Sequence, residues 1–196
     1  MQAPKLIILG RDGILNRFRD DHVKEPHEWV PLPGALEAVA RLNHAGWHVV
    51  VATNQAGIGR GMIEMSSVNA VHRHMMKLLA AQGGRIDAVF FCPHTPEDQC
   101  DCRKPLPGLM HQVGERYGVD LSQVPMVADT LRDLQAAQTA GCQPHLVCTG
   151  RAALVQEAEL AQWQQAVPGA RIHADPEPDQ RRRLRGQTGK VGGRVA

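Results

Sequence analysis

The chain has 196 residues, 43% of them hydrophobic, with 22 basic and 20 acidic residues and a formal net charge of +2. That length suits one domain with a sizeable core, and three Trp, one Tyr and three Phe leave the core to be built from aliphatic residues. No apolar run of about 18 residues offers a membrane span and no secretory pattern opens the chain, so a cytoplasmic protein without membrane contact is expected. The charge is uneven. Arg181, Arg182, Arg183, Arg185, Lys190 and Arg194 all follow Gln180 with no acidic residue among them, so an acidic body precedes a basic tail. With almost no apolar residue and no aromatic ring to stack a base, residues 175–196 read as a solvated, disordered end rather than a nucleic-acid arm.

In chain order, strand and helix signals alternate, which predicts an α/β fold: a doubly wound parallel sheet over residues 1–174, with no large cap domain. Leu6 to Leu9 is an apolar run that breaks at Gly10-Arg11-Asp12-Gly13, a buried strand delivering polar residues at its C-terminal end. Arg17 to Leu32 is polar and Pro-bearing, a flap over the strand ends. A helix opens at Pro33-Gly34 and runs to about His44 on Leu36, Val39, Ala40 and Leu42, with Gly46 as its stop. His48 to Ala52 is the second strand and leads to Thr53-Asn54-Gln55. Ala56 to Gly61 is a glycine-rich loop. Ser66 or Ser67 caps a helix to about Gln82, Ala88 to Phe91 is the third strand, and a Cys-bearing loop precedes a helix from Gly108 to Tyr117. Pro125 to Ala128, Leu131 to Ala140 and His145 to Val147 supply strand, helix and strand. Ala152 to Ala166 is expected to be helical and Arg171 to His173 an edge strand, with no closing helix legible beyond it.

Polar clusters stand at or just after the ends of the first four strands, where an open α/β sheet binds ligands. They are Asp12; Thr53 and Asn54; Arg103 and Lys104; and Asp129 with Asp133. A hydroxyl, an amide and two cations hold a phosphate, while carboxylates bind the magnesium that bridges protein and phosphate. Asp129 alone would more simply cap the following helix; four clusters together favour phosphoryl chemistry. Asp129 and Asp133, four apart across a strand-to-helix junction, either face one metal or one steadies the other. Cys92, His94, Cys100 and Cys102 form a Cys-x-His and Cys-x-Cys set whose four protein ligands suit a closed structural zinc site better than incidental buried thiols. Cys142 and Cys148 read as small core residues. His72 and His74, two apart on a helix, read as surface residues. Gly57-Ile58-Gly59-Arg60-Gly61 is not a dinucleotide fingerprint, and no Gly-x-Ser-x-Gly elbow occurs.

These motifs resemble those of the haloacid-dehalogenase-type phosphatases over Lys5 to Gly150, with Ala128 where glycine is commoner. The resemblance implies Thr53 as phosphate ligand, Arg103 and Lys104 as charge stabilisers, Asp12 as general acid and base, and magnesium on Asp12, Asp129 and Asp133. The zinc loop and the absence of a large cap narrow the resemblance to the branch that hydrolyses heptose bisphosphates on the way to lipopolysaccharide. The histidinol-phosphate phosphatases are the nearest look-alike. Phe18, Arg19, Asp20, Asp21, Thr53, Asn54, Gln55, Ala56, Arg103, Lys104 and Thr130 match positions that contact the sugar phosphate in the heptose-bisphosphate branch. A monomer acting on a small sugar phosphate is implied. In that family the residue at Gly10 is an aspartate, the nucleophile that becomes an aspartyl-phosphate. Glycine offers no carboxylate, so weak or absent turnover is expected, through slow attack by water with Asp12 as base, or else a phosphate-binding role without catalysis.

Overall fold

A computed structural model of the chain describes residues 4–174; the tail expected at 175–196 lies outside the described residues. Six strands form one sheet: β1 (Leu6–Leu9), β2 (His48–Asn54), β3 (Ala88–Cys92), β4 (Pro125–Ala128), β5 (Gln143–Val147) and β6 (Arg171–His173). Their order is β3-β2-β1-β4-β5-β6, and every pairing is parallel. The chain therefore winds outward from β1 through β2 to β3, then returns to β1's other side for β4. That reversal opens a crevice beyond the C-terminal ends of β1 and β4.

Alternation along β1 divides the core into two layers. Leu6 and Ile8 pack into one cluster with Leu109, Met110, Val113, Ala136 and Ala137, which come from α4 (Gly108–Tyr117) and α5 (Leu131–Ala140). Ile7 and Leu9 face the other, with Val39, Val71, Met75 and Leu79, from α1 (Ala35–His44) and α3 (Met65–Ala81). The doubly wound α/β arrangement is thus the observed one. Trp29 and Val23 of the segment at 17–32 are buried in this second cluster, and Arg17 N–H donates to Val30 O while Leu32 N–H donates to Leu15 O. The flap is an anchored loop with one short helical turn at Pro26–Glu28.

Boundaries shift where pairing, which local sequence does not report, extends an element. β2 and β3 run further than expected because Thr53 pairs with Phe91 and Asn54 with Cys92, which carries the sheet to the rim of the Cys-bearing loop. The long helix starts at Met65 behind Glu64 as N-cap, not at Ser66 or Ser67. A single helical turn, α2 (Ala56–Gly59), sits in the glycine-rich stretch. The last helix, α6 (Glu157–Ala166), is shorter than expected, with Gln156 as its N-cap. His72 is a correction. It is buried, because its Nε2 lies 3.2 Å from the Arg11 guanidinium, itself inside the core.

Met75 is fully buried between sheet and helix, so Met75→Ala should destabilise the fold by about 2–5 kcal/mol. Leu106→Ala, at a half-exposed position, should change it by less than about 0.5 kcal/mol. Urea unfolding of the two variants checks both; equal midpoints would contradict the core assignment.

Candidate active site

The ends of β1, β2 and β4 and the loops after β3 and β5 enclose a cavity of about 270 Å³. Its lining includes Asp12, Thr53, Asn54, Gln55, Ala56, Arg103, Lys104, Asp129, Thr130 and Asp133, together with Phe18, Arg19 and Asp20 of the flap. Asp21 is not among the lining residues; it is exposed and pairs with Arg19 and Lys24. Six lining residues stood outside the expected set: Arg11, His22, Val23, Arg60, Arg132 and Arg151.

Gly10 follows β1 directly, with its N–H donating to Val127 O at 2.9 Å. Its backbone lies outside the left-handed region, and a Cβ built on it would meet Ile14 Cγ1 at 3.1 Å and Val127 O at 3.6 Å. A side chain is sterically admissible there if Ile14 gives by a few tenths of an ångström. Asp12 is gripped from three directions. Arg11 places Nε 3.2 Å from Oδ2 and Nη2 3.1 Å from Oδ1, Asn16 Nδ2 donates to Oδ1 at 2.9 Å, and Gln55 Nε2 donates to Oδ2 at 3.2 Å. Burial pushes this carboxyl up, but the Arg11 charge and the bonds from Asn16, Arg11 and Gln55 outweigh it and hold Asp12 below the usual carboxylate range.

Across the cavity, Lys104 is almost wholly buried. Its Nζ donates to Ala52 O at 2.9 Å and pairs with Asp133 Oδ1 at 3.1 Å. Asn54 holds the Lys104 backbone from both sides, donating to its O and accepting from its N–H. Of the two alternatives for Asp133, the structure favours steadying: the side chain is engaged by Lys104 instead of being turned with Asp12 and Asp129 toward a single ion. Thr130 caps α5, its Oγ1 accepting from Asp133 N–H at 3.3 Å.

Asp129 occupies a close-fitting cradle. A Cβ on Gly13 or on Gly150 would clash with its carboxylate, so both positions require glycine. The Arg151 N–H donates to Asp129 Oδ2 at 2.8 Å, and Thr149 Oγ1 donates to Gly13 O at 2.7 Å. Burial and the Asp133 charge raise the Asp129 pKa to about 7, so this buried carboxylate lacks enough positive charge around it. A hard cation would supply that charge, and Asp129 and Asp12 offer the oxygen donors it needs. Arg151 also lays its guanidinium over the Phe18 ring at 3.9 Å, which ties the loop after β5 to the flap. No periodic signal marked that loop in the sequence.

Beside this cavity, the ligand atoms of Cys92, His94, Cys100 and Cys102 all lie within 4.8 Å of one another. Among the described residues this is the one group of three or more such side chains within reach of a single metal ion. Arg103 follows directly and donates from Nη1 to His94 O at 3.1 Å, so the cluster fixes the strand of loop that carries Arg103 and Lys104. Cys142 and Cys148 are buried and free, as expected.

This architecture and site are those of a phosphatase, and similarity to known proteins agrees. A family model described as Polynucleotide kinase 3 phosphatase matches residues 12–130, and a HAD-hydrolase-like model matches residues 101–170. The chain belongs to the haloacid-dehalogenase-like phosphatases. Among its relatives, the D-glycero-beta-D-manno-heptose-1,7-bisphosphate 7-phosphatase of Bordetella bronchiseptica is 56% identical over 146 residues, covering 74% of this chain and 82% of that protein. The Pseudomonas aeruginosa protein of the same name is 51% identical over the same length and shares. The solved structure of the D,D-heptose 1,7-bisphosphate phosphatase from B. bronchiseptica, complexed with magnesium and phosphate, superposes with a TM-score of 0.81 at 48% identity, covering 93% of this chain and 99% of that one. Its counterpart from Burkholderia thailandensis gives 0.66 at 45% identity, over 92% and 98%.

The raised pKa of Asp129 has a testable sign. The folded state holds a proton on this carboxyl up to about pH 7, whereas the unfolded chain releases it near 3.8. Its contribution to stability is therefore complete below pH 3.8 and is lost as pH rises toward 7. In metal-free protein, Asp129→Asn should become progressively more stable than the parent chain between pH 4 and about 7. Melting temperatures across that range check this; a constant difference would contradict it.

Proposed function

We propose that this chain is built to hydrolyse the 7-phosphate of D-glycero-β-D-manno-heptose 1,7-bisphosphate to the 1-phosphate, and that Gly10 makes the chemical step slow. The observation that carries the reading is the convergence of Asp12, Thr53, Lys104 and Asp129 on one cavity. The activity stated in the names of the relatives supports the substrate, ahead of histidinol phosphate.

In this reading Thr53 and Lys104 bind the phosphoryl oxygens, and Lys104, held by Asp133, offsets charge that develops on them. Arg103 and the flap residues Phe18, Arg19 and Asp20 orient the sugar, with Asn54, Gln55, Ala56 and Thr130 around the phosphate. The cation, held by Asp129 and Asp12, neutralises phosphate charge when bound; magnesium in the Bordetella structure supports that choice. With glycine at position 10 no aspartyl-phosphate forms. Water attacks phosphorus directly, Asp12 accepts its proton, the phosphorus to sugar-oxygen bond breaks, and the sugar oxygen recovers a proton from Asp12. A second reading, a phosphate-binding protein without turnover, is favoured by Gly10 alone.

The Cys and His cluster is proposed to hold zinc. Its sulfur to sulfur separations of 3.6 Å approach the edge of about 3.8 Å that a tetrahedral ion with bonds of about 2.3 Å to sulfur requires. A cytoplasmic monomer fits the set of ligands and substrate; among the described residues no helix is long and apolar enough to cross a membrane.

Removing a covalent nucleophile costs on the order of four to six orders of magnitude. Gly10→Asp should therefore raise the rate of phosphate release from heptose 1,7-bisphosphate by at least about a thousandfold, and equal rates for parent and variant would contradict the proposal. Purified protein should also contain about one zinc per chain by elemental analysis, and stripping it should lower the melting temperature. Metal well below one equivalent would count against the structural site.

A further inference from the structure

Gln55 is buried at 2% exposure on a position where one side chain touches both halves of the cavity. Its backbone N–H donates to Cys92 O at 2.7 Å, which pins the residue between the end of β2 and the start of the Cys-bearing loop. From there Nε2 donates to Thr53 Oγ1 at 2.9 Å and to Asp12 Oδ2 at 3.2 Å. The orientation of the amide follows from chemistry. An ionised carboxylate only accepts, so the nitrogen must face Asp12, and its two hydrogens serve the two partners, one each. Thr53 Oγ1 is therefore already an acceptor, and its single hydrogen is left to point at whatever occupies the cavity.

We propose that Gln55 is a positioning residue that presets the Thr53 hydroxyl as a donor toward the phosphoryl group and links that anchor to the carboxylate of Asp12. This rests on the reading of the cavity as a phosphoryl site. Without Gln55, Thr53 Oγ1 loses the donor that fixes its rotor, and its hydrogen is no longer reserved for the phosphate. With Gln55 in place, Arg11, Asn16 and Gln55 together fix both oxygens of Asp12, and binding at Thr53 strengthens a chain of polarised bonds that ends on that residue.

The test is a double-mutant cycle read by calorimetric titration of inorganic phosphate into the full chain in excess magnesium. Gln55→Met and Thr53→Val should each weaken phosphate binding by about tenfold. The double variant should bind no more than about threefold worse than Thr53→Val alone, because there is no hydroxyl left to orient. Parent-like affinity in Gln55→Met, or a full tenfold loss repeated in the Thr53→Val background, would overturn the proposal, since a merely structural role is additive. If Gln55→Met does not fold, Gln55→Asn repeats the cycle with the amide withdrawn by one carbon, and the same non-additive loss is expected. Thr53→Val binding phosphate as the parent does, with Gln55→Met weakened, would instead overturn the placement of phosphate on Thr53.

Discussion

The structure depends on the balancing of charges that have left water. Arg11, Lys104, Asp129 and Asp133 are all buried where four strands end, and isolated ions cannot persist in such a place. Arg11 is balanced by Asp12 and Lys104 by Asp133, while Asp129 has backbone N–H from Arg151 and a raised pKa in place of a partner. A site arranged in this way leaves one carboxylate waiting for a cation and one hydroxyl facing an open space. The sheet order makes the arrangement possible, because the winding reverses beside β1 and leaves the strand ends free of crossing connections.

Gly10 stands one residue before Arg11, directly after the first strand, without disturbing this arrangement. Its backbone is ordinary, it keeps its pairing to Val127, and the space beside it is narrowed by Ile14 but not closed. Thr53, Lys104 and Asp129 come from β2, the loop after β3 and the end of β4, and Asp12 from the turn after β1, where Arg11, Asn16 and Gln55 hold its carboxylate; none of these bonds runs through residue 10. A chain can lose the covalent step and keep the charge arrangement around it.

Much of this was legible from the sequence because chemistry-bearing residues cluster at the breaks of apolar runs. Asp12, Thr53, Lys104 and Asp129 each follow a strand signal, and parallel α/β topology brings such positions together. Cys92, His94, Cys100 and Cys102 were legible from spacing alone. What stayed hidden depends on contacts between distant segments. His72 reads as a surface residue on its helix until Arg11, 61 positions away, is seen to lie against it. The reach of β2 and β3 to Asn54 and Cys92 is set by pairing register, which no local propensity reports. The glycines that cradle Asp129 come from the turns after β1 and β5, and Gly150 and Arg151 lie in a stretch with no hydrophobic period. Arg11 was within the quoted motif, but its burial follows from the layer it points into.

The central claim is that one anion-sized space is shared by Thr53, Lys104, Asp12 and Asp129 in this chain as it stands, with glycine at position 10. Diffraction from crystals grown with magnesium and inorganic phosphate tests it most directly. The account predicts a tetrahedral anion within hydrogen-bond distance of Thr53 Oγ1 and Lys104 Nζ, with a cation between it and Asp129. An anion bound elsewhere, or these side chains engaged only with each other at saturating phosphate, would contradict it.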